Sequence, residues 1–163
     1  DDENWPAMLL DPSEGPTDAL LARYDVVASL KPGIRRYNMF WSTFEGELPR
    51  SAVGGGWECP GTSALVPATE AERKALGYHG FHCYSTSQIA SFDTIFELDR
   101  QAGAQNAAIL YSTPSFYRHP NCTGFKFGPD YIKSGCPPVD EHMDDFEDFV
   151  RLLVQRWGLT SLR

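Results

Sequence analysis

The sequence predicts an α/β fold built on a parallel sheet, and two observations predict it. A unit made of an amphipathic helix, a glycine and a strand-like run occurs three times along the 163 residues. Helices that alternate with single strands build parallel sheets. The joints from helix to strand are only a few residues long, whereas the first two strand-like runs are each followed by a long insertion.

Residues 1–16 carry Pro6, Pro12 and Pro16 and read as an extended lead-in, in which Trp5, Met8, Leu9 and Leu10 are candidates to supply or replace a first strand. The remaining residues, 17–163, form one domain. Thr17 or Asp18 caps a first helix over Ala19–Leu30, whose Leu20, Leu21, Tyr24, Val27 and Ala28 recur at helical spacing. Pro32-Gly33 stops it, and the run Ile34–Trp41 follows. From Glu45 to His82 the pattern is irregular, with Gly54-Gly55-Gly56, Trp57, Cys59 and a short helix near Glu70–Leu76. Loops this long in a compact domain are functional or pinned. The second helix, Ile89–Ala102, shows Ile89, Phe92, Ile95, Phe96 and Ala102 on one stripe, with Gly103 at its C-cap and the run Gln105–Tyr111 after it. Residues 112–139 form a second insertion with five prolines. The third helix, Met143–Trp157, has the clearest period: Phe146, Phe149, Val150, Leu153, Val154 and Trp157, then Gly158 and the start of a further run, Leu159–Arg163. In α/β barrels the loops after the strands build the working face and the opposite loops stay short, so the two insertions mark the working end.

An apolar share of 42% with 22% charged residues excludes a disordered chain. The formal net charge of −8 argues against nucleic acid as a partner and reads as a solvated surface. No apolar run approaches the roughly 20 residues of a membrane span. The aromatic share of 13% is high, and lining a sugar-binding cleft is one of several uses for aromatics outside the helical stripes.

The cysteines Cys59, Cys83, Cys122 and Cys136 form no Cys-x-x-Cys pair, which argues against zinc and thioredoxin-like chemistry. Of three possible connectivities, Cys59–Cys83 with Cys122–Cys136 is the one in which each bridge brackets one insertion. Asn121-Cys122-Thr123 is an acceptor sequon for N-glycosylation. With an even cysteine count it points to a secreted or extracellular protein. The chain opens Asp1-Asp2-Glu3-Asn4, as a processed or internally cut chain is expected to.

The run Lys31-Pro-Gly-Ile-Arg-Arg-Tyr-Asn-Met-Phe-Trp-Ser-Thr-Phe-Glu45 resembles the second strand of retaining glycoside hydrolases with a (β/α)8 (TIM) barrel, which carry Trp-x-x-(Ile/Phe)-Glu at its C-terminal end. Phe146-Glu-Asp-Phe-Val-Arg-Leu-Leu-Val-Gln-Arg-Trp-Gly158 is similar to their third helix, and Ala108-Ile-Leu-Tyr-Ser-Thr-Pro114 sits where their third strand would be. The likeness is to the β-xylosidase and α-L-iduronidase group and to the cellulase-like families of the same clan. It implies a partial barrel of roughly the first three β/α units, with long disulfide-pinned loops after strands two and three. The clan's second-strand arginine falls on Arg36 counting back from Trp41, whereas counting forward from Gly33 reaches Asn38, and both stand as candidates. The resemblance also implies an acid/base glutamate on strand four and a nucleophile on strand seven, at the separation of about 5–5.5 Å that a retaining mechanism requires. Neither is in this chain, so no residue of it is expected to be catalytic.

The candidate substrate-binding residues are Arg36, Asn38, Trp41, Glu45, Tyr111, Thr113 and Phe116. Trp41 at a strand end is a candidate to stack on a sugar ring or to pack the barrel rim. Glu45 is a candidate to bond a substrate hydroxyl or to pair with the rim or with Arg36. Tyr111, Thr113 and Phe116 follow the next strand and either line a cleft or pack beneath the loop. His79-x-x-His82 lacks ligand-like spacing, and neither a metal nor a cofactor is expected. The expected function is the N-terminal portion of a secreted glycoside-hydrolase-like protein acting on or binding carbohydrate. The alternative is a non-catalytic extracellular glycoprotein that keeps part of a barrel within a larger assembly. In both, the open sheet edge requires cover from the rest of the same protein or from other chains.

Overall fold

The computed structural model describes residues 33–122, 125–127, 130–132 and 136–159. The predicted lead-in, the first helix Ala19–Leu30 and residues 160–163 lie outside the described residues.

At the centre is a parallel pair of strands, β1 (Ile34–Phe40) and β6 (Gln105–Tyr111), running in register from Ile34 against Gln105 to Phe40 against Tyr111. β1 alternates strictly: Arg35, Tyr37 and Met39 are buried, while Ile34, Arg36, Asn38 and Phe40 are exposed. That is the period-2 pattern of a sheet covered on one face. Trp41 does not extend the strand but opens a single helical turn, α1 (Trp41–Phe44).

The first insertion, expected to be irregular, contains two antiparallel pairs and the predicted short helix. β2 (Arg50–Ser51) pairs with β3 (Trp57–Glu58), and β4 (Ser63–Val66) pairs with β5 (His82–Ser85). Strands of two to four residues are too short to show a period in the sequence. Between β4 and β5 lies α2 (Glu70–Leu76), where Thr69 accepts from the Glu72 N–H and the Glu72 carboxylate accepts from the Ala68 N–H. In the second insertion β7 (Phe125–Phe127) pairs antiparallel with β8 (Asp130–Ile132).

Helix α3 (Thr86–Ala102) begins three residues before the predicted start because Ser85 caps it, accepting from the Gln88 N–H. It ends at Gly103, whose φ of 72° is left-handed, and the chain turns directly into β6. Helix α4 covers the predicted Met143–Trp157, after a 3-10 turn over Asp140–His142. Its buried face is Asp148, Phe149, Leu152 and Leu153, and Val154, expected on the apolar stripe, is exposed. The helix is turned so that Asp148 points inward, where it meets the backbone of His79 and Gly80 and the ring of His82.

The core fills the space between the buried face of β1 and the two long helices. Phe44 joins the layers: its ring lies 5.3 Å from Phe92 of α3, 5.5 Å from Phe149 of α4 and 6.0 Å from Trp157 of α4. Tyr37 packs edge-on against Phe96 at 5.3 Å. Such aromatic packing contributes beyond the burial of area alone. Much of the aromatic content is therefore core.

Both expected disulfides are present, Cys59–Cys83 and Cys122–Cys136, with Cα separations of 5.4 and 5.9 Å. Among the described residues the sheets have two strands each, no barrel closes, and no helix is long and apolar enough to cross a membrane.

Candidate functional site

The alternation of β1 and the register with β6 decide which side chains share a surface. Paired residues of a parallel pair point to the same side. Ile34, Arg36, Asn38 and Phe40 therefore share a face with Gln105, Ala107, Ile109 and Tyr111, opposite the face that packs the helices. Arg36 and Asn38, the two alternatives for one aligned position, lie two residues apart on this same open face. At its C-terminal end the rings of Phe40 and Tyr111 stack with centroids 5.8 Å apart and planes 24° apart. Each is 43% exposed, enough to offer an aromatic surface. Phe40 was not among the sequence candidates, although its spacing from Arg36 and Asn38 placed it on their side.

The ends of the two strands are bound to each other just beyond that pair. The Ser42 N–H donates to the Ser112 carbonyl at 2.7 Å, and the two hydroxyl oxygens lie 2.5 Å apart. Ser112 has a φ of 65°, a left-handed conformation that a serine holds only where its surroundings impose it. Thr113, next in the chain, is buried rather than presented to solvent. Phe116 packs edge-on against Tyr117 at 4.5 Å.

Trp41 and Glu45 are fully buried in a network that holds this end of the sheet from below. The Trp41 indole N–H donates to Glu45 Oε2 at 2.8 Å, and the Tyr117 hydroxyl donates to Glu45 Oε1 at 2.9 Å. His82, at the start of β5, stands between Glu45 and Asp148: Nδ1 is 2.9 Å from Glu45 Oε1 and Nε2 is 3.0 Å from Asp148 Oδ2. Asp148 also accepts from the backbone N–H groups of His79 and Gly80 at 2.8 and 2.9 Å. These bonds explain why α4 turns Asp148 inward.

Burial and hydrogen bonding shift the titration of His82, Asp148 and Tyr117. Burial alone would lower the His82 pKa, but its hydrogen bonds to Asp148 and Glu45 outweigh that and raise it to about 9. Burial would raise the Asp148 pKa, yet the bonds from His82 and from the backbone of His79 and Gly80 hold it below the ordinary value. Burial and the Glu45 carboxylate push the Tyr117 hydroxyl far above its ordinary range. The network sets the His82 ring between the carboxyl groups of Glu45 and Asp148, closed to solvent, with each carboxyl group multiply bonded. It binds the β1 end, β5, the loop after β6 and α4 together, and leaves Glu45 no route to a solute. Glu45 pairs with these groups and not with Arg36. Its partners Tyr117 and His82 lie 72 and 37 positions away, and Asp148 lies 66 positions beyond His82, so none of the three was legible in the sequence.

A second buried group, Arg35 with Asp99 at 2.6 Å and the Tyr37 hydroxyl with Asp99 at 2.7 Å, joins β1 to α3. Elsewhere, His79, Asp144 and Glu147 bring one donor atom each within 4.8 Å. All three are exposed, and the carboxylates sit in the first turns of α4, where they already face the positive end of the helix dipole. A cavity of about 550 Å³ lies at the other end of β6, lined by Phe96, Arg100, Gln105, Asn106 and Trp157.

No family model, curated protein or solved structure matches this chain.

Proposed function

We propose that the chain is the N-terminal part of a glycoside-hydrolase-like (β/α)8 barrel, working in an oxidising, secretory or extracellular setting, and that it supplies one wall of a carbohydrate cleft. β1 and β6 would be the second and third strands of that barrel, and the open face of the pair would be its interior. The observation that carries this reading is the one-sided cover of the parallel pair. Among the described residues helices pack against one face, while Arg36, Asn38, Phe40 and Tyr111 occupy the other, and both long insertions leave from the C-terminal end. A barrel places its substrate groups at that end and its helices outside. The stacked Phe40–Tyr111 surface suits the apolar face of a sugar ring, with Arg36 and Asn38 as hydroxyl or carboxylate partners deeper in. Two internal disulfides support the oxidising setting.

In this reading the catalytic carboxylates come from later strands, and the chain positions substrate without reacting with it. The test is a panel of oligosaccharides and aryl glycosides offered to the parent protein, with product stereochemistry followed by NMR. Hydrolysis with retention supports the hydrolase reading. Binding without turnover supports the non-catalytic module instead. Neither binding nor turnover across the panel would overturn both.

A further inference from the structure

Asn121 is exposed in the loop after β6, and the residue following it, Cys122, is closed in a disulfide with Cys136. The Asn121 N–H donates to His119 Nδ1 at 3.2 Å, within the turn in which the Cys122 N–H donates to the His119 carbonyl at 3.0 Å. Asn121 and Cys122 of the sequon are thus bent into a turn, and Cys122, its middle residue, is tied to a point 14 positions downstream. Transfer of an oligosaccharide needs the asparagine and the hydroxyl two residues on to be presented together by mobile chain. Closing the bridge removes that freedom, because a short closed loop has few conformations.

We propose that Asn121 is an N-glycosylation site whose occupancy is set by a race between glycan transfer and closure of Cys122–Cys136. In the first reaction the Asn121 amide nitrogen bonds to the anomeric carbon of a lipid-pyrophosphate-linked oligosaccharide. The amide loses a proton and the lipid pyrophosphate leaves. In the second, two thiols lose two protons and two electrons to the disulfide of a lumenal oxidoreductase, which becomes a dithiol. The order of synthesis favours transfer, since the sequon emerges before Cys136 exists. The short span between the cysteines favours closure soon afterwards. The glycan would stand on a loop leaving the same end of the sheet as the aromatic pair. The inference rests on the secretory setting and not on carbohydrate binding by the open face.

The test is expression of the parent protein through a eukaryotic secretory pathway, with occupancy at Asn121 read by mass spectrometry after amidase release. Wild type is expected as a mixture of occupied and bare chains. A pulse of dithiothreitol during synthesis is expected to reduce the bare fraction several-fold, and so is C122S/C136S, which keeps a sequon. N121Q is expected to abolish the modification. The dithiothreitol arm needs no substitution, so misfolding of the double variant does not decide the outcome. Protein bearing both disulfides but bare at Asn121, with and without reductant, would overturn the site and leave the secretory setting standing. Equal occupancy in wild type without reductant, wild type with reductant and C122S/C136S would overturn the race.

Discussion

Nε2 of His82 lies 3.0 Å from Oδ2 of Asp148, 66 positions along the chain, and both side chains are fully buried. Through Nδ1 the same ring reaches Glu45, so one cation holds two buried carboxylates from different elements. Removing one partner of such a group leaves uncompensated charge in the interior. His82→Ala should therefore destabilise the fold by about 3–5 kcal/mol, measured by urea unfolding. A change below about 1 kcal/mol would show that the carboxylates find other partners or water.

The same ring gives stability a pH dependence of defined sign. Its folded pKa is raised from 6.5 to about 9, so the folded state holds the proton more tightly than the unfolded state. The stabilisation is complete below pH 6.5 and is lost as pH rises through about 9. Its size is about 3 kcal/mol by linkage. Asp148 acts in the opposite direction, its contribution present above the ordinary value of 3.8 and lost as pH falls below it. Unfolding midpoints should be highest between these limits, and His82→Ala should flatten the alkaline limb.

Asp99 is the counterpart on the other side of the core. It is fully buried and takes bonds from Arg35 and Tyr37, which lie on the helix-facing side of β1. Asp99→Ala should cost about 3–5 kcal/mol, and Asp99→Asn should cost less because it keeps an acceptor for one partner. Equal losses in thermal unfolding would assign the effect to the lost charge and not to the lost shape.

The bridges close loops of 24 and 14 positions. Chain-entropy reasoning gives each about 3 kcal/mol, despite the difference in span, because the dependence on length is logarithmic. Replacing Cys59 and Cys83 together with serine should lower stability by that amount, and so should replacing Cys122 and Cys136. A much larger loss for the first pair would implicate its neighbour, the buried His82 network.

Much of this architecture was legible because it rests on local rules. α4 follows from a repeated apolar spacing, Gly103 and Gly158 end their helices as left-handed caps, and the cysteine pairing follows from which insertion each pair brackets. β2 and β3 escaped because a two-residue strand has no period to read. Val154 was assigned to the buried stripe because apolar spacing knows nothing of Asp148, whose bonds to His79, Gly80 and His82 set the rotation of the helix. At the candidate site, Arg36, Asn38 and Tyr111 were named from the sequence. Phe40 shares their spacing, but its stacking on Tyr111 emerged only with the register that sets the two side by side. Trp41 and Glu45 sit in the expected stretch, but their surroundings are formed by residues distant in sequence.

The measurement that tests the central claim most directly is calorimetric titration of the protein with the oligosaccharide that binds best in the panel, comparing Tyr111→Ala and Asn38→Ala with Trp57→Ala. Trp57 is an equally exposed aromatic on the β2–β3 hairpin, outside the open face. If the face of β1 and β6 is the wall of the cleft, the first two variants weaken binding by about tenfold or more, equivalent to about 1.4 kcal/mol, and Trp57→Ala leaves it unchanged. Unchanged affinity in Tyr111→Ala and Asn38→Ala, with the fold intact, would contradict the account.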